Sequence, residues 1–201
     1  MKIIIITGPS GSGKTNLSKK LLAKLENSHL LSTDDFYKTG MLSNIRSYFI
    51  RSYFDKEISH DSKLLRKTIS KILKNKKINY SYKYNFINKS TKIIYQYPSF
   101  INYLIIEGIF TLELLKFISN NNYLLIRLKT SMDICIKRIY KRDYLERGKS
   151  KKDIIKDFKR AWEIYQKKEE LYKISENSNE LIFKNDPNIN TIIKKLSNNN
   201  L

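Results

Sequence analysis

Eight consecutive residues, Gly8-Pro9-Ser10-Gly11-Ser12-Gly13-Lys14-Thr15, fit the pattern G-x-x-x-x-G-K-[ST]. The chemistry such a stretch supports is phosphate binding. Its backbone N–H groups wrap phosphate oxygens at the N-terminus of the helix that follows, where the helix dipole adds about half a positive charge. Lys14 would bridge the outer phosphates, and the Thr15 hydroxyl would ligate Mg²⁺. The pattern arises by chance in roughly 1% of chains of this length. Here the β-branched run Lys2 to Thr7 precedes it and a helical pattern follows, so the required context is met. A glycine-rich turn with no ligand is the plainer reading, and that context argues against it.

Two further groups have the right types for chemistry on a phosphate. Ser32-Thr33-Asp34-Asp35-Phe36-Tyr37 follows the short apolar stretch His29 to Ser32, at the C-terminal end of a strand, where open α/β sheets place their ligands. One of two adjacent carboxylates aimed at a cleft suits a general base that accepts the proton of an attacking hydroxyl. Either could instead cap the following helix. Asn102-Tyr103-Leu104-Ile105-Ile106-Glu107 is an apolar strand with one terminal acid, the arrangement that holds Mg²⁺ or its water. Arg138, Arg142, Arg147 and Lys149 then gather four positive charges around the break Glu146-Arg147-Gly148-Lys149. An arginine-bearing lid there would cover a transferring phosphoryl group; a solvated charge run is the alternative.

These groups need a scaffold that brings strand ends together. Leu17, Leu21, Leu22 and Leu25 form a helical stripe within Asn16 to Leu25. With strands on either side the unit reads β-loop-α-β, which implies a right-handed crossover and a parallel sheet. Ser43 to Phe54, Ser62 to Leu73, Thr111 to Ile118, Ser131 to Tyr144, Lys151 to Tyr172 and Ile189 to Leu196 read as helices. Tyr123 to Leu128 and Glu180 to Phe183 read as strands. Tyr80, Tyr82, Tyr84 and Phe86 alternate with polar residues and are answered by Ile93 to Tyr97 across the polar turn Asn88-Lys89-Ser90, a hairpin signature. The pattern predicts an α/β fold of the P-loop NTPase type, a three-layer sandwich around a central, mainly parallel sheet. A single domain would span 1–197, with an inserted hairpin flap at 78–97, a lid at 142–150 and a disordered tail at 198–201.

At 201 residues and 41% hydrophobic the chain has enough apolar material for a sizeable core, which excludes general disorder. The formal charge of +20 points at face value to nucleic acid or an anionic membrane. The charge is carried by 31 Lys against only 8 Arg, beside 30 Ile and 19 Asn. All three abundant types have A/T-rich codons, so base composition accounts for much of the excess, and nucleic acid is not the expected partner. The lone Cys135 excludes an internal disulfide and a cysteine-based zinc cluster; its apolar neighbours read as buried helix. His29 and His60 lack a suitably spaced third ligand and read as surface or loop residues. No run approaches the roughly 18–20 apolar residues that span a bilayer, and Ile3 to Ile6 is too short for a signal-peptide core. A cytoplasmic enzyme without a membrane partner is expected.

The chain resembles the uridine/cytidine kinases among the phosphoribulokinase-like P-loop kinases. The resemblance covers about residues 1 to 185 and rests on the phosphate loop, Leu31-Ser32-Thr33-Asp34-Asp35-Phe36-Tyr37-Lys38, Tyr53-Phe54-Asp55, Tyr84-Asn85-Phe86, Ile105-Ile106-Glu107-Gly108-Ile109, and Arg142-Asp143 with Glu146-Arg147-Gly148-Lys149. It implies Mg²⁺-dependent phosphoryl transfer from ATP or GTP to the 5′-hydroxyl of a pyrimidine nucleoside, converting uridine to UMP, and a possible homo-oligomer. It implies Asp34 as base, Asp55 as a ribose ligand, and Tyr37, Tyr84, Lys89 and Arg138 around the substrate. Thr15, Glu107 and Asp34 would serve the metal, and Arg142, Arg147 and Lys149 the phosphates. Three positions depart from the family pattern: Asn85 stands for an Asp, Lys89 for a His and Ile139 for an Arg. The Lys-Pro pair that the family carries ahead of its C-terminal strand is also absent from the Trp162 helix. A related kinase for another small alcohol, of the nicotinamide riboside or pantothenate type, and an RNA-associated P-loop protein are the alternatives.

Overall fold

The computed structural model describes residues 1–40, 57–118, 122–148, 150–172, 179–184 and 186–198. In chain order the strands are β1 (Lys2–Thr7), β2 (Ser28–Ser32), β3 (Lys77–Asn85), β4 (Ser90–Phe100), β5 (Tyr103–Glu107), β6 (Tyr123–Leu128) and β7 (Glu180–Phe183). The helices are α1 (Lys14–Lys24), α2 (Ser62–Asn75), the single turn α3 (Leu115–Ile118), α4 (Met132–Arg147), α5 (Lys151–Leu171) and α6 (Ile189–Asn198).

Five strands form a parallel sheet in the order β2-β5-β1-β6-β7. β1 lies at its centre, with Ile4 opposite Ile105 on one side and Leu124 on the other. A strand covered on both faces is apolar at every position rather than at every second one, which is why four isoleucines run together. Their side chains still alternate. Ile3 and Ile5 point into a core with Leu104, Ile106 and the α2 residues Leu65, Ile69 and Ile72. Ile4 and Ile6 point the other way, onto Leu17 and Leu21 of α1 and Ile192 and Leu196 of α6. Helices thus cover both faces of the sheet, the expected three-layer α/β sandwich. The chain adds β2 and β5 on one side of β1 and then β6 and β7 on the other, so the strand order reverses beside β1 and opens a crevice at the strand C-termini. β3 and β4 pair antiparallel as a separate two-stranded hairpin.

Several limits differ from the sequence reading for local reasons. α1 begins at Lys14, two residues earlier than expected, directly after Gly13 with φ 98°. Leu22 drops out of the buried stripe, being 38% exposed, whereas Leu17, Leu21 and Leu25 are buried. α4 runs through Glu146 and Arg147, and the helix ends at Gly148, whose φ of 62° is the left-handed conformation that stops helices. The turn of the hairpin falls on residues 86–89, so that Ser90 pairs with Asn85. α6 takes in Asn198. The expected helix Ser43 to Phe54 lies outside the described residues, as does Asp55.

His60 is a loop residue as expected but a buried one, and His29 lies on a strand. His29 is half-buried on β2. His60 is 4% exposed and its ring lies between those of Tyr37 and Phe110, with centroids 4.1 Å away on each side. Burial pushes the His60 imidazole down to about 3, so it packs as a neutral aromatic ring. Cys135 is buried, with its thiol 3.8 Å from the Thr130 carbonyl oxygen. Among the described residues no helix is long and apolar enough to cross a membrane.

Candidate active site

The phosphate loop leaves β1 at its C-terminal end and turns directly into α1. The first link in its shape is backbone packing. A Cβ at Gly11 would lie 2.5 Å from the Cys135 carbonyl oxygen, so only glycine lets the loop rest on α4. Thr130 donates its hydroxyl to the Ser12 carbonyl at 3.1 Å, and the Arg138 guanidinium lies 3.4 Å from the carbonyl oxygens of Gly11 and Ser12. Lys14 Nζ donates to the Pro9 carbonyl at 2.9 Å and is buried. Burial pulls its pKa down, opposed by the carboxylates of Glu107 and Asp34. An ammonium held over the loop at the N-terminus of α1 is a ready site for phosphate oxygens.

The carboxylates arrive from two neighbouring strand ends. Ser32 stands opposite Glu107 in the parallel register of β2 and β5, and its hydroxyl donates to Glu107 Oε1 at 2.8 Å. The Thr15 hydroxyl reaches the same oxygen at 3.4 Å. After β2 the chain makes a short 3-10 turn, Thr33–Phe36, in which neither Asp34 nor Asp35 acts as a cap. Gly108 is required here, because a Cβ would fall 1.8 Å from Thr33 Oγ1. Asp34 is half-buried, and its pKa is raised to about 6 by desolvation and by the nearby charge of Glu107, against the pull of Lys14. A carboxyl poised near neutrality is suited to general base catalysis.

The oxygen-only donor set of Thr15, Ser32, Glu107 and Asp34 fits Mg²⁺, a hard cation that takes oxygen ligands. The charge of Glu107 beside Asp34 also marks a place where a dication would be favoured. Among the described residues no group of three or more His, Cys, Asp or Glu could hold a metal unaided. Mg²⁺ in such a site relies on substrate phosphates for its remaining ligands.

Lys14, Thr15, Asp34 and Glu107 open on one cleft of about 800 Å³. Ser10, Gly11, Gly13, Lys14 and Thr15 line one part, with Asp34 and Glu107. Arg138 and Arg142 project from α4, where Ile139, the residue after Arg138, also lines the cleft. Arg142 donates from Nε to Asp143 at 2.7 Å. Tyr37, Tyr84, Phe86 and Lys89 complete the lining from the hairpin side. The Tyr37 ring packs tilted against Tyr84 at 5.1 Å and edge-on against Phe86 at 5.7 Å, which makes an aromatic wall. Gly8, Pro9 and Ser12 belong to the loop without lining the cleft. Lys149, Asp55 and the Arg147 side chain fall outside the described residues.

The sequence reading missed three contributors. Ser32 is a partner of Glu107 that only strand register reveals. Asn85 is not a substrate group in this geometry: its Oδ1 accepts from the N–H groups of Ile87 and Asn88 at 2.8 and 3.2 Å and closes the hairpin turn. Asp157 and Phe158 of α5 also line the cleft, and nothing in their charged-helix surroundings marks them out.

A lysine-bearing phosphate loop at the reversal point of a parallel sheet, facing carboxylates on the next strand ends, defines a P-loop kinase. The chain matches the model of the Phosphoribulokinase / Uridine kinase family over residues 3–170 and belongs to that family. A protein of Borrelia duttonii named "Uridine kinase" is 32% identical over 166 residues, covering 80% of this chain and 76% of its own. One of Streptococcus uberis with the same name is 29% identical over 159 residues, 78% of this chain and 74% of its own. Among solved structures, YFH7 from Saccharomyces cerevisiae, a P-loop containing kinase candidate with a circular permutation, superposes with TM-score 0.68 at 11% identity. The match covers 92% of this chain and 93% of that one, and it speaks for the fold alone.

Proposed function

We propose that the protein transfers the γ-phosphoryl group of Mg²⁺-bound ATP or GTP to the 5′-hydroxyl of a pyrimidine nucleoside, with uridine preferred. The carrying observation is the single cleft that joins a phosphate loop, a poised carboxylate and an aromatic wall. Its volume lies within the range of about 300–1,000 Å³ usual for small-molecule sites. The name carried by the Borrelia and Streptococcus relatives supports the nucleoside as acceptor.

In this reading the acceptor oxygen attacks the γ-phosphorus while the bond to the β–γ bridging oxygen breaks. The acceptor proton passes to Asp34, and the electrons of the broken bond leave with the nucleoside diphosphate. Lys14 and Arg142 hold the phosphoryl oxygens as charge spreads over them. Thr15, Ser32, Glu107 and Asp34 would hold Mg²⁺, which when bound neutralises charge on the donor phosphates. Tyr37, Tyr84 and Phe86 take the flat nucleobase, and Lys89 offers it a hydrogen-bond donor. Asp55, Arg138, Arg147 and Lys149 keep the sugar- and phosphate-binding roles that the family resemblance assigns them.

The test is to incubate purified protein with Mg·ATP or Mg·GTP and a panel of nucleosides, nicotinamide riboside and pantothenate, and to identify the phosphorylated product. Uridine 5′-phosphate is expected. A product only from one of the other alcohols would replace the acceptor. No product, with RNA binding that weakens steeply with salt, would replace the function.

A further inference from the structure

Asp35, the second carboxylate of the pair, is absent from the cleft lining and turns toward the hairpin. Its Oδ1 accepts the backbone N–H of Tyr84 at 3.0 Å, across 49 residues of chain. Lys83 Nζ lies 3.5 Å from the same oxygen. The carboxylate is 15% exposed and the lysine 67%, so the hydrogen bond is sheltered while the ion pair faces water. An open ion pair contributes little, whereas a sheltered hydrogen bond leaves a buried amide unpaired when it is broken.

Among the described residues the hairpin shares no ladder with the five-stranded sheet. It meets the loop after β2 through rings, Tyr82 on Phe36 at 5.2 Å and Tyr84 on Tyr37 at 5.1 Å. Ring contacts set how close two elements lie, but they are non-directional and tolerate sliding. A hydrogen bond to one particular amide fixes position along the strand. That matters because a slip of one residue reverses the faces of a strand and would turn Tyr84 away from the cleft.

We propose that Asp35 is a positioning residue for acceptor specificity: its hydrogen bond to the Tyr84 amide sets the register in which the hairpin presents Tyr84, Phe86 and Lys89 to the acceptor. This rests on the kinase reading above. It makes Asp34 and Asp35 neighbours with different tasks, one on the reacting hydroxyl and one on the wall that holds the rest of the acceptor.

Substitutions at Asp35 separate tether from charge. Asp35→Asn keeps a carbonyl oxygen where the amide needs it and loses the charge. Asp35→Glu keeps the charge and moves the oxygen by one methylene. Asp35→Ala loses both. Steady-state kinetics with uridine and Mg·ATP are read beside hydrogen exchange at the Tyr84 amide in the free protein. Expected is a rise in uridine KM of about 10- to 100-fold in Asp35→Ala and Asp35→Glu, with faster Tyr84 exchange in both. Asp35→Asn stays within about threefold of wild type in KM, and kcat and the ATP KM stay within about threefold throughout, the margin of a surface change. Lys83→Ala leaves uridine KM within about twofold. The reverse order, Glu tolerated and Asn impaired, would assign the effect to charge and overturn the proposal. So would faster exchange at Tyr84 with an unchanged uridine KM. A wild type that phosphorylates no nucleoside overturns the acceptor assignment itself, a result distinct from both. Should Asp35→Ala fail to fold, the Asn and Glu pair carries the same decision.

Discussion

The two sides of the cleft are built by different means. On the phosphate side the backbone itself is the binding surface, and it is set by the core: β1 is buried on both faces, the loop rests on α4 where Gly11 admits no Cβ, and Gly108 packs onto Thr33. On the hairpin side the binding groups are side chains on a two-stranded sheet whose β4 strand is largely exposed, with Tyr95 at 76% and Tyr97 at 95%. Few packing constraints reach Asn85 or Lys89, whereas many reach the loop. Of the three substitutions that the resemblance implies, two, Asn85 and Lys89, sit on the hairpin. The third, Ile139, is buried beside the phosphate loop, within reach of a Cβ at Gly11, so the substituted group there serves packing.

The largest effect should come from the rigid side. Lys14→Ala removes a buried charge from the phosphates and is expected to reduce turnover at least about 10³-fold with any acceptor, measured under saturating Mg·ATP. Near wild-type turnover would show that the loop's backbone alone carries the donor.

Asp34→Asn should lower kcat about 10²–10⁴-fold while nucleotide binding is retained. Its pH dependence gives a second reading. The Asp34 pKa is raised to about 6, so the ionised base is lost as pH falls through that value, and wild-type kcat/KM should drop about tenfold per pH unit below it. The same shift has a cost to the fold. A carboxyl that binds its proton more tightly when folded than when unfolded adds stability only as pH falls through about 6 towards 3.8, and its charge destabilises the free protein above that window. Asp34→Asn should therefore melt about 2–4 °C higher than wild type at pH 8, the change that 1 kcal/mol makes in a chain of this size. An unchanged melting temperature would say the carboxylate is better solvated than its surroundings imply.

Arg142→Ala tests the side chains between the two regions. A fall in kcat of about 10²-fold, with uridine KM little changed, is expected if the guanidinium acts on the transferring group. A change confined to KM would move Arg142 to the acceptor.

The smallest effect should lie on the adaptable side. An ammonium has three donors and no acceptor, so Lys89 satisfies a carbonyl at the 4-position of uracil and leaves the amino group of cytosine facing a donor. A preference for uridine over cytidine of about 10- to 150-fold in kcat/KM is expected, and Lys89→His should narrow it by recovering cytidine. An equal ratio in both proteins would place Lys89 in the turn alone.

What the sequence made legible follows the same division. The phosphate loop, the strand-end carboxylates and the order of strands and helices are local patterns, because period and glycine position report directly on buried strands and tight turns. Limits were legible only where a residue enforces them: Gly148 ends α4, but the preceding charges looked like a break. The burial of His60 in its loop was not legible, because the sequence says nothing of the rings that enclose it. Ser32 and Asp35 went unassigned because their partners, Glu107 and Tyr84, are 75 and 49 residues away and are brought near by register and docking.

The position of β1 also bears on how the chain is made. Its partners are β5 and β6, which begin at Tyr103 and Tyr123, so this strand is completed by segments made about a hundred residues after it. At about 5–20 residues per second that interval is on the order of 5–20 s. For its duration four consecutive isoleucines have no ladder to join, and they form a short, uncharged, β-prone run of the kind that seeds aggregation. The strand that anchors the phosphate loop in the finished protein therefore waits longest exposed when synthesis is slow, and slowing elongation between residues 30 and 100 should lower the soluble yield.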